Sequence, residues 1–115
     1  MTVTIYHNPR CSKSRQALEL IRSKGIEPEI IDYLATPPTP HKMQQLLKLL
    51  GMEPEQIIRK SEEIYKSLGL KDAKLSKSQL IKILCDNPKL IERPIVVSGS
   101  KAVLGRPPEN VLEIL

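Results

Sequence analysis

A strand, a helix and a second strand follow one another at the start of the chain, and this order constrains the fold more than any other feature. "VTIYH" (3–7) alternates β-branched and aromatic residues and stops at Asn8-Pro9, which is typical of a strand followed by a turn. "SKSRQALELIRSKG" (12–25) has helical spacing and ends at a glycine, and "EPEIIDYL" (27–34) indicates another strand. Strands joined by a helix pair in parallel through a right-handed crossover. The sequence therefore predicts an α/β sheet.

The middle of the chain shows helical spacing without a convincing strand. "ATPPTP" interrupts the earlier pattern, and it places Thr39 to cap and Pro40 to open a new helix. The segments that follow favour short helices, so we predict an all-helical insertion between strands 2 and 3, over approximately residues 36–91. Strands return as a hairpin in "PIVVSGSKAVLG" (94–105), and a helix opened by proline closes the chain.

Composition limits the classes of function. The 115 residues fit one domain, so we predict a single domain over residues 1–115. The net charge is +5, but the cations are interleaved with acids, and the absence of Phe and Trp makes stacking on bases unexpected. We therefore expect a small anionic ligand and no nucleic acid. No apolar stretch approaches the roughly 18 residues of a membrane span, and the N-terminus lacks a secretory signal, so we expect a cytoplasmic protein with reduced thiols and no membrane partner.

The stretch "NPRCSKSR" places a cysteine, Cys11, where the first predicted strand gives way to the first predicted helix. Free N–H groups at a helix N-terminus bind anions and stabilise a thiolate. Arg10, Lys13 and Arg15 would oppose the helix dipole unless an anion belongs there. We predict that these cations lower the pKa of Cys11 below the usual value of about 8.5 and make it a nucleophile rather than an inert buried thiol.

Several kinds of cysteine chemistry are disfavoured by the neighbouring residues. A local redox disulfide is impossible, because "CSKS" has Ser14 where a Cys-x-x-Cys motif has its second thiol. A phosphatase-type loop needs an arginine where this chain has Ala17, and the lack of clustered Cys and His argues against a metal. Attack on an oxyanion or on an external disulfide remains. Cys85 continues the apolar spacing of Ile81 and Leu84, so we interpret it as a core residue, with a resolving thiol as the alternative.

Four segments, "YHNPRCSKSR", "PEIIDYLATPPT", "LIERPIVV" and "GRPPENVLEIL", together resemble the glutaredoxin-dependent arsenate reductases along nearly the whole chain. The resemblance implies a thioredoxin-like fold with a helical insertion, which agrees with the predicted order of elements. It also implies that the thiolate attacks the arsenic of arsenate to give a covalent adduct. Glutathione would then serve as co-substrate and glutaredoxin as the protein that resolves the mixed disulfide, with no tightly bound cofactor.

Carried over residue by residue, the resemblance makes Cys11 the nucleophile. It implies that His7 and Ser14 support the thiolate and that the peptide bond before Pro94 is cis. Guanidinium groups suit a tetrahedral oxyanion because their rigid donor forks stay charged. The resemblance gives this role to three arginines: Arg59 in "IIRK", Arg93 in "ERP" and Arg106 in "GRP".

Two alternatives stay open. Redox-sensing regulators of the same fold bind RNA polymerase and resemble this chain at "RP" before the late strand, but they typically carry a Cys-x-x-Cys switch that Ser14 removes here. A monothiol oxidoreductase that acts on glutathione mixed disulfides would need Cys11 but neither Arg59 nor Arg106. Substitution of these two arginines separates this alternative from an oxyanion reductase.

Overall fold

The computed structural model describes residues 2–115, and its regular elements alternate between strands and helices at both ends of the chain. The strands are β1 (Val3–His7), β2 (Glu29–Asp32), β3 (Ile95–Ser98) and β4 (Lys101–Leu104). The α-helices are α1 (Ser12–Ser23), α2 (Pro40–Leu50), α3 (Glu63–Ser67) and α4 (Lys77–Asp86). Short 3₁₀ helices cover Pro54–Ile57, Pro88–Leu90 and Pro108–Glu113. None of the helices in residues 2–115 is long and apolar enough to cross a membrane.

The four strands form one mixed sheet in the order β2-β1-β3-β4. β1 pairs in parallel with β2, with Ile5 opposite Ile30, and this confirms the βαβ unit. β3 pairs antiparallel with β1 and with β4, with Val96 between Ile5 and Val103, and this confirms the late hairpin. The α/β class and the mixed sheet follow the sequence prediction, and helices occupy the chain between β2 and β3 as expected.

The ends of the elements are set mainly by local hydrogen bonds. Thr39 Oγ1 accepts a bond of 3.2 Å from Lys42 N, and Pro40 occupies the first turn of α2, as predicted. β2 ends at Asp32, two residues earlier than the sequence suggested. Asp32 Oδ1 accepts a bond of 3.1 Å from Leu34 N, so this side chain turns the backbone away from the sheet.

The chain divides into two compact units. One comprises the chain up to Thr36 together with Arg93–Leu115, and the other comprises Pro37–Glu92. The prediction that the whole chain acts as one domain stays a prediction. In the first unit, one face of the sheet packs against α1 and the C-terminal 3₁₀ helix. The fully or nearly buried residues of this core are Val3, Ile5, Ala17, Leu18, Ile21, Val96 and Val111.

The last element differs from the predicted α-helix. Pro108–Glu113 forms a 3₁₀ helix, in which Asn110 N donates to Pro107 O and Ile114 N donates to Val111 O. The tighter turn still buries Val111 completely, which is what the core requires.

The second unit is helical, as predicted for the insertion. α2 packs against α4, and Met43, Leu46 and Leu84 are almost fully buried. Its one extended pairing among the described residues is an isolated antiparallel bridge between Ile58 and Ile91. This bridge fixes the two segments that flank it relative to each other.

A close backbone contact joins the start of β3 to the end of β4. The peptide bonds before Pro94 and Pro107 are both cis; the first was predicted from the resemblance and the second was not. Gly105 N donates to Pro94 O over 2.8 Å. A Cβ added at Gly105 would lie 2.7 Å from Pro94 Cγ and 3.3 Å from Ala17 Cβ, so a side chain does not fit without movement of the proline.

We expect Gly105→Ala to lower the free energy of unfolding by about 1–3 kcal/mol, because the added methyl group overpacks a buried contact. Urea denaturation followed by circular dichroism measures the change. Ser100→Ala, in the exposed turn between β3 and β4, is the control and should change stability by less than about 0.5 kcal/mol. Equal stability of the two variants would show that the contact with Pro94 is not tight.

Candidate active site

Cys11 is the N-cap residue of α1, and a hydrogen-bonded turn holds it there. Cys11 N donates to Asn8 O over 3.0 Å, and Arg10 N donates to Asn8 Oδ1 over 3.0 Å. Arg15 N in turn donates to Cys11 O over 3.0 Å, which begins the helical pattern. The thiol therefore lies where the unpaired N–H groups of the first helical turn gather, as the sequence predicted.

The environment favours the thiolate of Cys11. Burial raises the pKa of this half-buried thiol, but the backbone N–H of Ser14, the Arg93 guanidinium and the backbone N–H of Lys13 outweigh burial and lower the pKa below its ordinary value. The direction and the contribution of the helix N–H groups agree with the sequence prediction, whereas the cation that contributes is Arg93. The side chains of Arg10 and Lys13 point into solvent, so the stabilising groups are two amides and one distant arginine instead of the neighbouring cations.

Arg93 is the predicted oxyanion ligand that the fold brings to Cys11. It precedes the cis peptide bond to Pro94, and its guanidinium hydrogen-bonds to the Cys11 thiol. Its Nε is buried and has no hydrogen-bond partner within residues 2–115. Leaving a buried charged donor unpaired costs on the order of 1–3 kcal/mol, so an anion that accepts this bond would be stabilised beside the thiol.

His7 and Ser14 form a buried pair beneath the cysteine loop. Ser14 is fully buried and His7 is 7% exposed. His7 Nδ1 and Ser14 Oγ are 2.6 Å apart, and Ser14 Oγ also accepts a bond of 3.0 Å from Asn8 N. The Ser14 side chain thus ties the end of β1 to the first turn of α1, while its backbone N–H faces the Cys11 thiol.

The charge state of His7 decides how it acts. Burial lowers the pKa of His7; Asp32 opposes this shift, and Arg22 and Arg15 add to it. The imidazole is therefore neutral near pH 7. His7 thus contacts Ser14 as a neutral partner and not as a cation, and its support of the thiolate stays a prediction.

Arg106 and Arg59 are the other two predicted oxyanion ligands. Arg106 belongs to the same unit as Cys11, is exposed, and follows Gly105; its carbonyl accepts a bond of 3.2 Å from Asn110 Nδ2. Arg59 belongs to the other unit. That either arginine joins Arg93 around one oxyanion stays a prediction.

The surroundings of Arg59 were not foreseen. Its Nη1 lies 3.3 Å from Glu62 Oε1, and its Nε lies 3.5 Å from Glu92 Oε1. The spacing of three residues between Arg59 and Glu62 is a sequence signal that was available. Glu92 carries no such signal, because only the pairing of distant segments brings it to Arg59.

Two further details depart from the sequence analysis. Arg15 Nη1 donates to Pro9 O over 2.9 Å, so this cation braces the cysteine loop instead of facing the thiol.

Cys85 is half-buried rather than a full core residue, and both cysteines are free. Burial, assisted by Asp86, raises the pKa of the Cys85 thiol, which makes it the less reactive of the two. No group of three or more potential metal ligands occurs in the described part of the chain.

We expect Arg93→Ala to move the pH midpoint of Cys11 alkylation upward and to slow alkylation at neutral pH several-fold. The reason is that Arg93 stabilises the thiolate in the wild-type protein. Iodoacetamide rates across pH, read by mass spectrometry at Cys11, provide the measurement. Arg10→Ala is the matched control and should leave the midpoint unchanged. An equal shift in both variants would mean that general positive charge, and not Arg93, activates the thiol.

We also expect the free energy of unfolding to fall as the pH drops below about 6.5. The folded state holds the pKa of His7 below its ordinary value of 6.5, so the unfolded chain takes up the proton first. This contribution is complete above pH 6.5 and is lost toward the lower, folded pKa. His7→Asn keeps an acceptor for Ser14 without the titration, so its denaturation curves should depend less on pH. Identical pH dependence would contradict the assignment of a neutral, buried His7.

Comparison with known proteins agrees with this geometry. Residues 6–114 match the ArsC family. An uncharacterized protein of Escherichia coli strain K12, YfgD, is 54% identical over 114 residues, which cover 98% of this chain and 96% of that protein. An arsenate reductase of Haemophilus influenzae is 49% identical over 116 residues, which cover 100% of both chains. The solved structure of an arsenate reductase from Vibrio cholerae superimposes with a TM-score of 0.96 at 50% identity, covering 100% of this chain and 98% of that one. The chain therefore has the predicted thioredoxin-like fold and belongs to the ArsC family.

Proposed function

We propose that this chain reduces arsenate to arsenite through a covalent adduct on Cys11. The observation that carries the proposal is the Arg93 guanidinium, which favours the Cys11 thiolate and keeps a buried Nε donor without a partner among the described residues. Attack on an oxyanion requires a nucleophile and, beside it, a hydrogen-bond donor that can bind the anion. Two relatives that match this chain from end to end, those of Haemophilus influenzae and Vibrio cholerae, are called arsenate reductases.

Binding depends on the match between arginine and a tetrahedral oxyanion. In our proposal Arg93 donates to one arsenate oxygen beside Cys11, and Arg59 and Arg106 hold further oxygens. Negative charge moves from sulfur onto the oxyanion as the thiolate attacks, so bonds that strengthen during this step accelerate the reaction. Phosphate has the same shape and charge pattern, and it would occupy the site without being reduced.

The reaction is proposed to proceed in three balanced steps. The Cys11 thiolate attacks arsenic; a sulfur–arsenic bond forms and one arsenate oxygen leaves as water after taking up protons. A glutathione thiolate then attacks the Cys11 sulfur; the sulfur–arsenic bond breaks and its electron pair leaves with arsenic, which is released as arsenite. A glutaredoxin thiol finally attacks the glutathione sulfur of the mixed disulfide and restores the Cys11 thiolate. Each cycle oxidises one glutathione thiol and one glutaredoxin thiol, and it reduces one arsenic by two electrons.

The supporting residues and the location follow from the same chemistry. His7 and Ser14 hold the first turn of α1 so that the Ser14 N–H meets the Cys11 sulfur when it is a thiolate, before attack and after release. Because the cycle consumes reduced glutathione, we propose that the protein works in the reducing cytoplasm, without a tightly bound cofactor. No second thiol of this chain is needed, which agrees with the raised pKa of Cys85.

The expected result is arsenate-dependent oxidation of NADPH in the presence of glutathione, glutathione reductase and glutaredoxin. Cys11→Ser should lower turnover by at least about a thousandfold, because it removes the nucleophile. Cys85→Ser is the matched control and should retain turnover. Omission of arsenate, glutathione or glutaredoxin in turn shows which component is required. Turnover that survives in Cys11→Ser would end this proposal.

A monothiol oxidoreductase is the second candidate, and one observation favours it: carboxylates of Glu62 and Glu92 already flank Arg59. In that case Arg59→Ala and Arg106→Ala would keep full activity on glutathione mixed disulfides, and arsenate would not be a substrate. For the arsenate reductase, each variant should lose about a hundredfold or more of kcat/KM for arsenate. The two functions therefore predict opposite behaviour of the same two variants.

A further inference from the structure

The strongest unexplained feature is the Arg59 cluster, defined as Arg59, Glu62 and Glu92. The antiparallel bridge builds it: Arg59 N donates to Leu90 O and Glu92 N donates to Ile57 O, each over 2.7 Å. The side chains are 18%, 30% and 25% exposed for Arg59, Glu62 and Glu92, so the cluster is mostly buried. Backbone pairing therefore fixes Glu92, and a local turn from Arg59 to Glu62 fixes the second acid, beside an arginine that is proposed to bind an anion.

The cluster is not a complete ion-pair network. Arg59 Nη1 is buried and hydrogen-bonds to no acceptor in the described chain, although Glu62 Oε1 lies 3.3 Å away. The guanidinium thus keeps a donor for a further acceptor. With one positive and two negative groups, however, the cluster carries a formal charge of about −1, which repels an incoming anion.

A proton on the oxyanion, shared with a carboxylate, resolves the conflict between attraction by Arg59 and repulsion by Glu62 and Glu92. Ionised carboxylates only accept hydrogen bonds, so an oxyanion oxygen beside them is tolerated when it carries a proton that it can donate. Arsenate and phosphate keep at least one O–H group near neutral pH, whereas sulfate has none. An oxyanion with a proton can therefore accept from Arg59 with one oxygen and donate to a carboxylate with another.

We propose that Glu62 and Glu92 make the Arg59 cluster selective for protonated tetrahedral oxyanions and reject sulfate. This inference rests on the proposed function, which assigns Arg59 to the oxyanion. Selection arises from an attractive bond to the O–H group and from repulsion of an oxyanion that lacks one. Arsenate thus binds in the presence of sulfate, although the two ions have the same shape.

The experiment measures binding of arsenate, phosphate and sulfate to Cys11→Ser protein by titration calorimetry, because this background prevents the covalent step. Sulfate should bind at least about tenfold more weakly than arsenate, the factor that one charge-assisted hydrogen bond supplies. Glu62→Gln or Glu92→Gln introduces an amide that donates to sulfate, so the preference for arsenate should shrink by about tenfold. Glu63→Gln, an exposed neighbour, is the matched control and should leave the preference unchanged.

Separate outcomes distinguish this inference from the proposed function. If both Gln variants keep the preference while Arg59→Ala loses arsenate binding, the carboxylates do not select and only this inference is overturned. If Arg59→Ala binds arsenate normally, Arg59 is not an oxyanion ligand and both proposals fail at this residue. Wild-type protein gives a test without a glutamate variant: phosphate should inhibit arsenate turnover at least about tenfold better than sulfate. Equal inhibition would overturn the inference.

Discussion

The hydrogen bonds of the buried Ser14 hydroxyl hold the cysteine loop between β1 and α1 in place. Ser14 Oγ joins His7 at the end of β1 to Asn8 in the following turn, and it does so from the first turn of α1. Each of these groups is buried, so loss of the hydroxyl would leave polar atoms unpaired as well as release the loop. The position of Cys11 at the helix N-terminus depends on this connection. The lowered pKa of Cys11 therefore depends on how the strand–helix unit is closed, and not only on nearby positive charge.

The second half of the site depends on close packing between the start of β3 and the end of β4. Gly105 lets the end of β4 approach Pro94, and the residue before Pro94 is the arginine that faces the thiol. The hydrogen bond from Gly105 N to Pro94 O thus fixes the backbone next to Arg93. Under the proposed function such rigidity matters, because a hydrogen-bond donor already in place needs no reorganisation when charge develops on the oxyanion.

The sequence predicted the parts of this structure that local patterns determine. The βαβ unit, the cap at Thr39, the late hairpin and the N-terminal position of Cys11 all follow from residue spacing and turn residues. Arg93 and the cis bond before Pro94 came from family resemblance, since no local pattern marks them. Contacts between distant segments were missed. The contact of Arg93 with the Cys11 thiol and the position of Glu92 beside Arg59 are both of this kind, because each depends on pairing that a single segment does not reveal.

At the centre of the proposed function, arsenate becomes covalently bound to Cys11 and glutathione releases the arsenic as arsenite. Intact-mass and peptide mass spectrometry after incubation with arsenate and glutathione, without glutaredoxin, tests it most directly. The account predicts a chain that carries one glutathione, attached at Cys11, and that forms only when arsenate is present. Modification that forms equally well without arsenate, or that lies on Cys85, would contradict it.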